Sequence, residues 1–183
     1  MAGQTPIFAP FARLLHWTMA AMILAMLFIG IGMVSSVGRY GELVAIHRPL
    51  GAAILVLAAI RLLYRLIVPP PPLPAAMPAY LSLPAHLSHY ALYALMFAVP
   101  LVGWAMLSAG GYPVVLYGSL RLPHILPHDL SLFATLRTTH TVLALLLFAT
   151  FLAHLGAALL HALVFRDGVF ESMATLRGRN GVR

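Results

Sequence analysis

The stretch TTHTVLALLLFATFLAHLGAALLHALVF, Thr138–Phe165, decides the fold, and it contains no charged residue. At about 1.5 Å of rise per residue, roughly 20 apolar residues cross a hydrocarbon core about 30 Å thick, so this stretch can span a bilayer and project beyond it. His140 and His154 stand fourteen residues apart within it. At about 100° per residue, that separation returns to within roughly 40° of the same face and rises about 21 Å. One helix thus presents two imidazoles on one side at two depths.

Working outward, three further segments have the same character. Leu14–Val34 and His86–Leu107 are uncharged, and Val44–Ile67 is apolar apart from Arg48, Arg61 and Arg65. The chain is 62% hydrophobic and 8% charged, against about a quarter charged in soluble domains, which makes the bilayer its solvent. The expectation is an all-α protein: a single transmembrane domain over 1–183, an integral membrane four-helix bundle with helices over about 14–35, 44–67, 85–108 and 137–165. Leu14–Val34 has no persuasive small-residue cleavage site and reads as a retained helix. The proline run Val68–Pro74 reads as a stiff extended connector between the second and third helices. Gly110, Gly111, Pro113, Gly118, Pro123 and Pro127 predict an irregular loop between the third and fourth.

The net charge of +7 comes from eleven basic residues, all arginine, facing Glu42, Asp129, Asp167 and Glu171. These arginines flank apolar segments and form no stripe with interleaved aromatics, so no nucleic-acid partner is expected; lipid headgroups are. Arg13, Arg61, Arg65, Arg166, Arg177, Arg179 and Arg183 fall on the side of the termini, whereas Arg39, Arg48, Arg121 and Arg137 fall on the other. The positive-inside rule then puts both termini in the cytoplasm. The absence of cysteine removes disulfides, iron–sulfur clusters, thiolate zinc sites and covalently attached haem.

Ionisable residues inside a span are costly and usually functional. With alternating helix directions, His16 lies near the inner side and His47 near the outer side, while the fourth helix offers His140 outside and His154 inside. Matching depths pairs His16 with His154 and His47 with His140. Each pair suits the two axial positions of a non-covalent haem iron, an arrangement fitted to electron transfer because no coordination site stays open. Ala20, Gly51, Ala144 and Ala158 follow the four histidines at four residues and leave room for a flat macrocycle; Tyr90, Tyr93 and Phe165 follow His86, His89 and His161 and crowd that space. Hydrogen-bonded helix contacts and a histidine site for zinc or copper are the alternatives from the residues alone. Arg61, fourteen residues after His47, stands at the inner depth, where it either pairs with haem propionates or snorkels with Arg65 to the headgroups.

In combination, Leu15-His16-Trp17, Ile46-His47-Arg48-Pro49-Leu50-Gly51, Arg61-Leu62-Leu63-Tyr64-Arg65, Ala85-His86-Leu87-Ser88-His89, His140 and His154 resemble the bacterial di-haem cytochrome b561 family over nearly the whole chain. The resemblance implies two haem b groups on His16, His47, His140 and His154, a multi-pass place in the bacterial inner membrane, and superoxide:ubiquinone oxidoreductase activity. On that reading Arg39, Arg48, Arg121 and Arg137 steer superoxide to the outer face, with His124 and His128 adding to them, and ubiquinone accepts electrons near the inner face. Protons for the quinone arrive through His86, His89 or His161; the bland alternative for these is capping or headgroup binding. Related four-helix cytochromes also serve as electron-relay and anchor subunits of membrane dehydrogenases and hydrogenases, in which case a protein redox partner is required. A haemless helical scaffold is the third reading.

Overall fold

The computed structural model describes residues 7–74 and 77–174. Arg177, Arg179 and Arg183, three of the arginines on the terminal side, lie outside the described residues. Four long helices make up the bundle: α1 (Pro10–Ser35), α2 (Tyr40–Ile67), α3 (Ala79–Ala109) and α4 (Leu130–Leu160), the last continued by a π-helical turn, His161–Phe165. Each is long and apolar enough to cross a membrane. Their outward faces carry large exposed apolar side chains such as Phe28, Val56, Leu63, Leu101 and Leu145, as expected where lipid rather than water is the surroundings.

All four helices begin earlier than the apolar runs suggest, α3 and α4 by the most. α4 starts at Leu130, where the Asp129 carboxylate accepts from the Leu132 backbone N–H at 2.9 Å and caps the first turn, about two turns before Arg137. α3 starts at Ala79, and Pro84 is accommodated inside it, close enough to the helix start that few backbone bonds are at stake. Hydropathy marks the buried or lipid-facing part of a helix and is blind to a polar first turn.

The connection between α3 and α4 is not irregular throughout. Val114–Tyr117 (β1) and Leu120–Leu122 (β2) form an antiparallel hairpin, turned by Gly118 at φ 54° and Ser119. The hairpin is tied to α3: Trp104 Nε1 donates to the Pro123 carbonyl at 2.9 Å, and Ser108 Oγ accepts from Ile125 N at 3.2 Å. At the opposite end a short helix, α5 (Val169–Ala174), docks on the start of α1, where Phe8 N donates to Ser172 O and Trp17 Nε1 to Met173 O.

Inside, Met19, Ile23, Ile54, Ala58 and Met96 form the core, flanked by Met22, Met26 and Phe151. It lies between the two depths at which the histidines sit. Close helix packing joins α1 to α2 and α3 to α4, with α2 and α3 more loosely joined. The close backbone packing of α4 is with α3, which leaves the face of α4 toward α1 and α2 spanned by side chains.

Candidate functional site

Imidazoles are what cross that gap. His16 on α1 faces His154 on α4 with ring centroids 6.2 Å apart and planes at 70°. Nearer the hairpin, His47 on α2 faces His140 on α4 at 6.1 Å, again at 70°. An imidazole nitrogen lies about 2 Å from a metal it ligates and about 1.1 Å from its own ring centre, so rings on opposite sides of one metal have centres about 6.3 Å apart. Both pairs stand at that spacing.

Hydrogen bonding settles which nitrogen is free. His140 Nδ1 lies 3.1 Å from the Val99 carbonyl, which can only accept, so Nδ1 carries the proton and Nε2 keeps its lone pair. The ring comes this near α3 because residue 103 is glycine: a Cβ there would lie 3.1 Å from His140 Cε1. His47 Nδ1 is buried and finds no hydrogen-bond partner among the described residues. A buried, unmet ring nitrogen is unfavourable unless something outside the chain completes its surroundings.

Among the described residues no group of three or more His, Asp or Glu side chains is arranged to hold a metal ion. Zinc asks for three or four protein ligands, whereas a porphyrin brings its own four nitrogens and needs two from the protein. Opposed pairs across a gap between helices therefore fit haem, and fall short of the ligand number that zinc asks for.

The remaining histidines separate. His89 packs edge-on against His154 at 5.2 Å, with its Nδ1 donating to the Ala85 carbonyl at 2.6 Å. That centroid distance is too short for two rings on opposite sides of one metal, so His89 is a neighbour of the inner pair. His86, one turn earlier, is exposed. His161 is buried in the π-helical turn, and its Nδ1 donates to Asp167 Oδ2 at 2.6 Å. Arg166 sits between them in the left-handed region at φ 51°. By sequence Asp167 is only one of the four acids; the signal for its pairing is an acidic residue six positions after a histidine at the end of a span.

Arg61 is engaged within the protein: Nε donates to Tyr93 Oη at 3.1 Å and Nη1 to the Ala12 carbonyl at 3.4 Å. Arg65 lies over the Tyr93 ring, 5.8 Å from its centroid. Tyr93, read in the sequence only as an obstacle, thus organises two arginines at the terminal end. At the hairpin end Arg39, Arg121 and Arg137 are exposed, with Arg39 in a loose 3.8 Å pair with Glu42, while Arg48 is half-buried with Nη1 3.4 Å from the Pro113 carbonyl. His124 and His128 lie at the same end, the His128 ring against Gly111.

Known proteins share this arrangement of sequence. The chain is 36% identical over 129 residues to a probable superoxide oxidase, CybB, of Yersinia pestis, covering 70% of this chain and 72% of that protein. It is 34% identical over 112 residues to cytochrome b561 homolog 2 of Escherichia coli (strain K12), covering 59% of each. The family description that matches residues 7–176 is prokaryotic cytochrome b561. Four apolar helices, histidines opposed in pairs and a match over almost the full length lead to one conclusion: the chain belongs to the prokaryotic cytochrome b561 family.

Proposed function

We propose that this chain is a di-haem b cytochrome that takes electrons from superoxide at the hairpin end and delivers them to ubiquinone at the end holding its termini. Membership in the family gives membrane electron transfer with haem b. The finer reading is carried by the two imidazole pairs at 6.2 and 6.1 Å, and is supported by the superoxide oxidase name of a relative. In the bacterial inner membrane, the arginine asymmetry turns the hairpin to the periplasm and the termini to the cytoplasm.

His16 with His154 and His47 with His140 would hold one haem b each, which when bound would supply reversible one-electron chemistry. The Val99 carbonyl fixes the His140 ring with Nε2 outward. Exposed Arg39, Arg121 and Arg137 give the hairpin face a positive field that raises the encounter rate of a small anion by about 10- to 1000-fold. Two superoxide anions lose one electron each to become dioxygen; one ubiquinone gains two electrons and two protons to become ubiquinol. At the terminal end buried His161, its Nδ1 held by half-buried Asp167, offers Nε2 to pass on the protons that quinone reduction consumes.

Rapid mixing of the purified protein with superoxide, followed by haem absorbance and then by ubiquinol formation, tests this reading. Reduction much faster than by an unspecific reductant, with ubiquinol as product, is expected. Superoxide reducing the protein no faster than such a reductant would make it a relay subunit that depends on a protein partner.

A further inference from the structure

Two arginines bury nitrogens that have nothing to bond. Arg13 Nε and Nη1, and Arg48 Nε, are sealed from solvent with no hydrogen-bond partner among the described residues. A guanidinium is always charged and offers five N–H groups, and leaving them buried and unpaired is among the least favourable polar arrangements in a fold. Other arginines of the chain avoid it: Arg61 has Tyr93 and Ala12, Arg166 has Leu163, and Arg39 has Glu42.

The side-chain carboxylates among the described residues do not answer the demand. Glu42 lies beside Arg39, Asp129 caps α4, Asp167 accepts from His161 and from Val169 N, and Glu171 is exposed. An anionic oxygen from outside the described residues would satisfy these donors. Position says which. Arg13 stands three residues before His16, within about 60° of its face and one turn nearer the terminal end. Arg48 directly follows His47 at the hairpin end, where its Nη1 reaches Pro113 and its Nε does not. Arg48, with an unmet buried donor, thus adjoins the His47–His140 pair, and Arg13, with two, lies on the helix turn before His16.

We propose that Arg13 and Arg48 bind the haem carboxylates, Arg13 those of the group held by His16 and His154, and Arg48 those of the group held by His47 and His140. This inference rests on the di-haem reading. It adds Arg13 to Arg61, whose Nε is committed to Tyr93, as a partner for the inner group, and gives Arg48 a holding function in addition to its field. A planar fork of N–H donors matches a carboxylate in bidentate fashion, which a lysine does only as a point charge. A lipid phosphate offers the same anionic oxygens, so the test must separate the two sources.

The measurements are haem content by pyridine haemochrome and spectroelectrochemical titration of the purified protein, with co-purifying phospholipid counted, for wild type, Arg13→Gln, Arg13→Lys and Arg48→Gln. Two haems are expected in the wild type. Removing the positive charge beside a haem favours its oxidised form, so Arg13→Gln lowers the potential of one haem and Arg48→Gln that of the other, while Arg13→Lys recovers most of the Arg13→Gln shift. Both variants moving the same haem, or neither moving a potential with haem content intact, overturns the proposal; loss of bound phospholipid in that second case identifies a headgroup as the partner. If Arg13→Gln sheds a haem, Arg13→Lys decides: retention supports a charge partner, and equal loss shows a packing role and overturns it. Fewer than two haems in the wild type instead overturns the di-haem reading on which the inference stands.

Discussion

Gly103 on α3 and His140 on α4 are in direct contact: a Cβ on the glycine would lie 3.1 Å from His140 Cε1 and 3.3 Å from Nδ1. The imidazole is held from one side by this closeness and from another by the Val99 carbonyl, so its ring has little freedom to turn away from His47. Placing the glycine on the neighbouring helix is how the close α3–α4 packing becomes a means of orienting a side chain.

Gly103→Val should therefore displace His140 and reduce the haem content from two per chain to one. The pair near the terminal end, about 21 Å further along α4, is out of reach of the added methyl groups. A pyridine haemochrome count on the purified variant checks it, and a variant that keeps both haems would show that the ring can shift without loss.

The histidine pairs make a second prediction, because a third ring lies nearer His154 than His16 does. His89 is 5.2 Å from His154, against 6.2 Å for His16, yet only the larger separation suits rings on opposite sides of one metal. His89→Ala should retain both haems, whereas His154→Ala and His16→Ala remove one and His140→Ala and His47→Ala remove the other. Loss of the same haem from the His140 and His154 variants would break the pairing.

Stability of α4 offers a third. Asp129 accepts from Leu132 N at 2.9 Å and caps the helix that carries His140 and His154. Replacing such a cap by alanine typically costs about 1 kcal/mol, which for a chain of this size lowers the midpoint of thermal unfolding by about 2–4 °C. Heating Asp129→Ala while following the Soret band measures this, and an unchanged midpoint would mean the hairpin anchors α4 without its cap.

Much of the arrangement could be read from the chain because membrane helices are governed by a few strong constraints. Length and apolarity give the four spans, and a spacing of fourteen residues puts His140 and His154 on one face. What was illegible depends on contacts between helices. The approach of Gly103 to His140 and the engagement of Arg61 by Tyr93 involve residues far apart in sequence, and no periodicity reports them. The hairpin was partly legible: Gly118-Ser119 between Val114–Tyr117 and Leu120–Leu122 is a two-residue turn signal, masked by the surrounding prolines and glycines. The early start of α4 follows from Asp129, a capping residue that hydropathy passes over.

A final prediction concerns the pair buried at the terminal end. His161 lies in a π-helical turn, a feature that tends to mark functional positions, and the chain leaves it through Arg166 in the left-handed region. Asp167 Oδ2 accepts from His161 Nδ1 at 2.6 Å, and its Oδ1 accepts from Val169 N at 3.1 Å, so the carboxylate is fixed and fixes the imidazole in turn. With Nδ1 carrying the proton, Nε2 is the nitrogen available to exchange one with a reduced quinone. His161→Ala should slow ubiquinone reduction on the order of 100-fold, the usual weight of a positioned proton donor. Asp167→Asn, which keeps a hydrogen bond but removes the charge, should slow it by about 10-fold, as loss of an orienting partner does. Superoxide-driven reduction of the haems should be unchanged in both variants, since that half-reaction consumes no proton and belongs to the other end of the bundle. The double variant should be no slower than His161→Ala alone, because the two residues act as one unit. Stopped-flow traces of the two half-reactions decide it: equal slowing of both would assign the pair a structural role, and additive losses would show that histidine and aspartate act separately.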